Sequence, residues 1–168
     1  MIHFCFRISI HCIILALGLF VGLWSACSNP ANPIINKPGM KYKVIQTQDA
    51  PHPIGPYSQA REFQGLVYLS GQIALDPQTQ VMVQDNIESE THRVMQNIKA
   101  ILKEAGLSME DIIKTTIFLA DMSDFQKVNE VYAWYFREFF PARETIEVKA
   151  LPKGARVEIS CIAARPPM

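Results

Sequence analysis

The order of apolar patterns predicts an α+β fold: one mixed β-sheet with two helices packed on one face. Two segments, residues 87–105 and 125–136, carry apolar side chains at helical spacing. Residues 41–47, 66–73, 112–120, 143–150 and 155–163 are β-rich instead. The resulting order, β-β-(β)-α-β-α-β-β, suits a sheet with its helices on one side.

The first strand, 41–47, ends near Pro51. Pro51, Pro53 and Pro56 around Gly55 then force an irregular extended loop. Residues 66–73 form the next strand and contain Ser70-Gly71. Asp76-Pro77-Gln78-Thr79 reads as a turn, with a short strand expected near 81–83. The first helix presents Val94, Met95, Ile98, Ile101 and Leu102 on one stripe and stops at Gly106. Residues 112–120 are a β-branched strand. Ser123-x-x-Gln126 predicts a capping box for a second helix bearing Phe125, Val128, Tyr132, Tyr135 and Phe136. Pro141 ends that segment. Residues 143–150 and 155–163 are expected to pair as a final hairpin through residues 151–154. The last strand carries Ile162 and Ala164 on the parity of Glu158, so the sheet face away from the helices is only partly polar. Association between chains would cover it.

Three segments divide the 168 residues: a leader over 1–27, a Pro/Asn-rich linker over 28–39 and one domain over 40–168. The leader has a single charge, Arg7, and an apolar run from Ile13 to Trp24, too short for a comfortable membrane span. Ser25-Ala26-Cys27 resembles a lipoprotein cleavage site with Cys27 as the lipidation candidate, although Trp24 and His11 depart from the usual pattern. This predicts an exported, periplasmic or membrane-anchored lipoprotein. The alternative is a cytoplasmic protein whose true start is Met40.

Residues 40–168 hold 14 basic and 16 acidic side chains, a net charge of −2. No basic run offers a footprint for nucleic acid. Cys161 is the one cysteine of the domain, so no disulfide forms within it, and its alternation with Val157, Ile159 and Ala163 marks a core thiol. No Cys/His spacing signals a metal, and no motif signals a flavin or nucleotide. Arg143 and Glu158 stand out in the C-terminal region: an arginine fork that can grip a carboxylate through two hydrogen bonds, and a carboxylate that can hold water or move a proton. A solvated cross-strand pair is the competing reading of the same two residues.

From Met40 to Arg165 the sequence resembles the RidA (YjgF-like) family of enamine/imine deaminases. The resemblance rests on Ile54-Gly55-Pro56-Tyr57-Ser58-Gln59-Ala60, Leu69-Ser70-Gly71-Gln72-Ile73, Asn97-Ile98-Lys99-Ala100-Ile101-Leu102 and Lys114-Thr115-Thr116-Ile117-Phe118-Leu119. Phe125-x-x-Val128-Asn129-x-x-Tyr132 and the stretch from Pro141-Ala142-Arg143 to Glu158 complete it. It implies a chorismate-mutase-like fold, a homotrimer with pockets at its subunit interfaces, and no cofactor. By the same resemblance Arg143 pairs with a substrate carboxylate and Glu158 helps place a water, while Tyr57, Gly71, Asn129 and Thr145 lie near the pocket. Thr145 stands where many members have cysteine, and Glu144 is an unexpected neighbour for an anion-binding arginine.

The activity implied is hydrolysis of 2-aminoacrylate or 2-iminobutyrate, in their imine forms, to the 2-keto acid and ammonia. A keto-acid-binding or chaperone-like trimer without turnover is the alternative on the same fold. RNA cleavage, also attributed to the family, fits poorly with the charge of the domain.

Overall fold

A computed structural model describes residues 42–166. The expectations for the leader, the linker and Cys27 fall outside the described residues. Within them, six strands and two helices follow in the order β1 (Tyr42–Ile45), β2 (Ala60–Phe63), β3 (Leu66–Gln72), α1 (Ile87–Glu104), β4 (Ile112–Leu119), α2 (Phe125–Ala133), β5 (Ala142–Glu147) and β6 (Val157–Ala164). They form one sheet in the order β1-β2-β3-β6-β4-β5. Every neighbouring pair is antiparallel except β4 and β5, which are parallel. The mixed sheet with two helices is the fold the sequence predicts.

Local chemistry accounts for most of the boundaries. The Asn86 side chain accepts from the Ser89 N–H at 2.7 Å, and Ser89 Oγ accepts from the Asn86 N–H at 3.3 Å, closing a box around the start of α1. Gly106, at φ 70°, lets the chain turn left-handed after the helix, and the Leu107 N–H caps the Leu102 carbonyl at 2.8 Å. The buried stripe of α1, Val94, Ile98, Ile101 and Leu102, packs with Val67, Ile117, Val157 and Ile159 of the sheet in one core. Each such side chain contributes about 1.5–3 kcal/mol through burial. Alternation along β6 is complete: Val157, Ile159, Cys161 and Ala163 face that core, while Glu158, Ser160, Ile162 and Ala164 face the open side.

The structure corrects four expectations. First, residues 60–63 form a strand that the sequence reading leaves in the loop. It pairs with β3 through a two-residue turn at Gln64 (φ 51°) and Gly65 (φ 80°), both left-handed as a tight hairpin requires. Second, residues 81–83 form no strand and contribute only the bridge between Leu75 and Met82. Third, Ser123 and Gln126 do not form a capping box. Asp121 takes the Ser123 N–H at 2.8 Å to open a 3-10 turn at Met122–Asp124, and Gln126 donates to Glu130 instead.

Fourth, β5 and β6 are not a hairpin, because β4 lies between them. With α2 as the crossover, β5 returns parallel to β4 on its outer edge. The connection then passes over the end of β4, where the Val148 N–H donates to the Leu119 carbonyl and the Ala120 N–H to the Arg156 carbonyl, both at 2.9 Å. The 3-10 turn Pro152–Gly154 exists, but it serves this wider crossing.

An ion pair between a buried carboxylate and a partly exposed arginine locks the crossing to α1. Glu90 is 0 % exposed; one of its carboxylate oxygens accepts from the Arg156 backbone N–H at 2.7 Å and the other from Arg156 Nε at 2.8 Å. Arg156→Leu would strand this carboxylate in the core with a single backbone donor. The expected cost is about 3–5 kcal/mol, against about 1–3 kcal/mol for Glu90→Gln, which keeps one acceptor but loses the charge and turns the other acceptor into an NH2 facing an Arg156 N–H. Urea unfolding of the two variants measures the difference; equal midpoints would contradict it.

Candidate functional site

Two cavities hold five of the six candidate residues; Thr145 lines neither. The first, of about 260 Å³, lies where the proline-rich loop meets the β3 bulge and β6, and its walls include Tyr57, Ser70, Gly71, Pro152 and Glu158. The loop that forms one wall is held from inside by Gln59, which is 2 % exposed. Gln59 Oε1 accepts from the Thr47 N–H at 2.7 Å, and its amide nitrogen donates to the Pro51 carbonyl at 2.8 Å. Prolines supply no N–H, so the glutamine amide replaces the ladder bonds this segment cannot make. Tyr57 then folds back so that its hydroxyl accepts from the Ile54 N–H at 3.1 Å.

Opposite that wall, Gly71 sits in the irregular register between Leu69 and Gln72 on the β6 partner. A Cβ at Gly71 would run into the Glu158 carboxylate, standing 2.7 Å from its Cδ. Glycine is therefore required by close approach rather than by a left-handed backbone. Glu158 has no ion-pair partner among the described residues, and burial pushes its carboxyl above the ordinary range. His52 shares the cavity wall with it, the one histidine found there.

The second cavity, of about 430 Å³, is lined by Asn129, Tyr132, Ala133, Phe140, Pro141 and Arg143. Arg143 is held by aromatic faces: its Cζ lies 5.1 Å from the Tyr132 ring centroid and 5.9 Å from that of Phe125. Among the described residues no carboxylate lies within ion-pair distance of it, so its donors are not consumed by a neighbouring acid. Glu144 points to the other face, where Lys114 Nζ lies 3.1 Å away and Thr116 Oγ1 donates to it at 2.9 Å. Those contacts hold its carboxyl below the ordinary range, and they remove the expected competition with Arg143. Thr145 returns to the Arg143 face with a buried hydroxyl that lacks a hydrogen-bond partner. Cys161 is buried, and desolvation pushes its thiol up to about 12, as a core residue rather than a nucleophile requires.

The two halves are not brought together within one chain. Arg143 pairs with Thr115, which faces α2, whereas Glu158 pairs with Phe118 and projects from the opposite face of the sheet. Tyr57, Gly71 and Glu158 share one cavity; Asn129 and Arg143 share the other. Sequence reasoning placed Arg143 and Glu158 on adjacent strands, and the intervening β4 is what defeats that. It also missed the role of Gln59, visible only once the loop closes around it, and the contact of Tyr132 and Phe125 with Arg143, reading those two only as part of the helical stripe and of the family resemblance.

Comparison with known proteins covers almost all of the described region. The sequence model of the family described as "Endoribonuclease L-PSP" matches residues 47–165. A RutC family protein of Pyrococcus horikoshii is 51% identical over 121 residues, which is 72% of this chain and 96% of the relative. The 2-iminobutanoate/2-iminopropanoate deaminase of Mus musculus is 46% identical over 125 residues, 74% of this chain and 93% of the mouse protein. Among solved structures, E. coli TdcF with bound serine superposes with a TM-score of 0.71 at 41% identity, covering 74% of this chain and 99% of TdcF. The chain belongs to the endoribonuclease L-PSP family, the RidA (YjgF-like) proteins.

Proposed function

We propose that this protein hydrolyses reactive enamine/imine intermediates, 2-aminoacrylate and 2-iminobutyrate, to 2-keto acids and ammonia in a pocket shared between two copies of the chain. The observation that carries the reading is the separation of the two halves: an arginine with unused donors on one sheet face, and a desolvated carboxylate on the other. Neither is a complete site. A neighbouring copy in a homotrimer supplies the missing half if the open sheet face is covered by association. That face exposes Tyr68 and Ile146 beside Ile162, an apolar area in need of cover. Deamination of 2-iminobutanoate and 2-iminopropanoate is the activity in the mouse relative's name, and the serine bound to TdcF is a small molecule with the α-carboxylate that an arginine would grip.

In this scheme Arg143 of one subunit grips the substrate carboxylate through two charge-assisted hydrogen bonds. The imine carbon is thereby presented to a water held by Glu158 of the partner subunit. Water adds to the C=N carbon, and Glu158 accepts its proton and returns it to the nitrogen. The tetrahedral amino-alcohol then collapses to the keto acid as ammonia leaves, so that imine and water are fully accounted for. Tyr57 forms a wall of the pocket, Gly71 admits the ligand beside Glu158, and Asn129 and Thr145 flank the arginine. No cofactor is needed for this chemistry.

The test generates 2-iminobutyrate in situ from threonine with a dehydratase and follows semicarbazide trapping against keto-acid release. The reading expects the protein to suppress trapping; unchanged trapping would leave a keto-acid-binding trimer as the better description. Export remains a separate proposal. Mass spectrometry is expected to find a diacylglycerol on Cys27 of the mature chain, whereas a chain starting at Met40 would overturn the lipid anchor and favour the cytoplasm.

A further inference from the structure

Arginines that bind carboxylates are commonly oriented by an acidic neighbour, at the cost of the donors that neighbour occupies. Arg143 has no such neighbour within ion-pair distance among the described residues. Its guanidinium lies against two rings of α2 instead, 5.1 Å from the Tyr132 centroid and 5.9 Å from the Phe125 centroid. A ring face attracts the cation without accepting its N–H groups in the plane of the fork.

Tyr132 is itself fixed. It is 3 % exposed, packs its ring 4.8 Å from that of Phe136, and shares a 2.8 Å hydrogen bond with Thr115 Oγ1. Thr115 is 1 % exposed and is the residue directly paired with Arg143 across β4 and β5. Helix α2 is thus tied to β4 at the residue paired with Arg143 on the neighbouring strand β5. Burial raises the Tyr132 hydroxyl above its ordinary value, so the ring stays neutral near pH 7 and does not become a competing anion.

We infer that Tyr132, assisted by Phe125, is a positioning residue that holds the Arg143 fork open for a carboxylate by its ring face, with the Thr115 hydrogen bond fixing that ring. This rests on the reading of Arg143 as the carboxylate anchor. The ring interaction is present before and after reaction, so its loss weakens ground-state and transition-state binding alike. KM should therefore rise with kcat little changed.

The test titrates the product, 2-oxobutyrate, into wild type, Tyr132→Phe, Tyr132→Leu, Phe125→Leu and Arg143→Ala, and measures KM and kcat for the imine in parallel. Tyr132→Leu is expected to weaken 2-oxobutyrate binding about 5- to 30-fold, and Phe125→Leu about 2- to 5-fold, while Tyr132→Phe stays within about threefold. A purely structural role for Tyr132 would lower the active fraction, and so kcat, without moving KM or the dissociation constant. If Tyr132→Leu fails to fold, the more exposed Phe125→Leu decides the matter alone. Folded leucine variants that bind as wild type does would overturn the inference. Binding without turnover in wild type, still weakened by the leucine variants, would sustain it while refuting the deaminase reading. Absence of binding by wild type would overturn both.

Discussion

Arg143→Ala is expected to lower kcat/KM for 2-iminobutyrate by about 10²- to 10⁴-fold while leaving the fold intact. Each hydrogen bond to a charged group contributes about 1.5–3 kcal/mol, and the guanidinium offers two in parallel. At about 1.4 kcal/mol per tenfold, the pair accounts for that range. Arg143 stands exposed on the edge strand β5 with no ion-pair partner among the described residues, so its removal strands no charge. The variant does lose the Tyr132 and Phe125 ring contacts, so its unfolding free energy should fall by no more than about 1–2 kcal/mol. Arg143→Lys should recover only part of the loss, because an ammonium is a point charge and cannot reproduce the planar fork. Steady-state kinetics with a thermal melt on the same samples measures both quantities. A variant with wild-type kcat/KM would remove the arginine from the mechanism.

Glu158→Gln is the second large effect, and it acts on the chemical step. Loss of a positioned proton acceptor costs about 10²- to 10⁴-fold in kcat, while 2-oxobutyrate binding survives because the arginine is untouched. The pH dependence carries a sign that separates this residue from a bystander. Burial raises the Glu158 carboxyl above its ordinary value, so the active carboxylate form is lost earlier on acidification than for an exposed glutamate. Wild-type kcat/KM should fall with decreasing pH through a pKa above the ordinary value of about 4.3, and the glutamine variant should lack that limb.

Stability runs the other way. A carboxyl whose folded pKa exceeds its unfolded one contributes stability below the unfolded pKa, and that contribution is lost as pH rises through the folded pKa. Near neutral pH, Glu158→Gln is therefore expected to be as stable as wild type or slightly more so. Gly71→Ala would press on the same carboxylate and should mimic the kinetic defect without removing the charge. An unchanged acid limb in Glu158→Gln would contradict the assignment.

How far the sequence could be read depends on how local each signal is. Helix α1 was legible, because a five-residue apolar stripe lies within its own length and Gly106 stands just beyond its end. Strand β2 was not: Arg61 and Glu62 give it no apolar run, and only the turn at Gln64-Gly65 betrays it. The final hairpin failed for a related reason. Adjacent strands in sequence with a Pro-Gly turn between them do pair in most sheets, and nothing local to residues 143–163 reveals that β4 takes the place between them.

The candidate site inherits that error. Alternation along β6 correctly put Glu158 away from the core, but parity within one strand does not fix which face the next strand's residues share. The Arg143 and Glu158 assignments rested on the family resemblance, whereas their separation is a property of the sheet order. Glu90 and Arg156 lie 66 positions apart, and Gln59 works through carbonyls its own loop brings to it, so neither contact could be found by spacing.

The most direct test of the shared pocket combines the two inactive chains. Arg143→Ala and Glu158→Gln, co-expressed in equal amounts with different tags and purified as mixed oligomers, each lack one half of the site. If the pocket is built from Arg143 of one subunit and Glu158 of the partner subunit, every mixed trimer, two-to-one or one-to-two, places two intact halves together at one site in three, and about a third of wild-type deaminase activity returns. Mixed oligomers of confirmed composition that are no more active than either parent would contradict a pocket shared between chains.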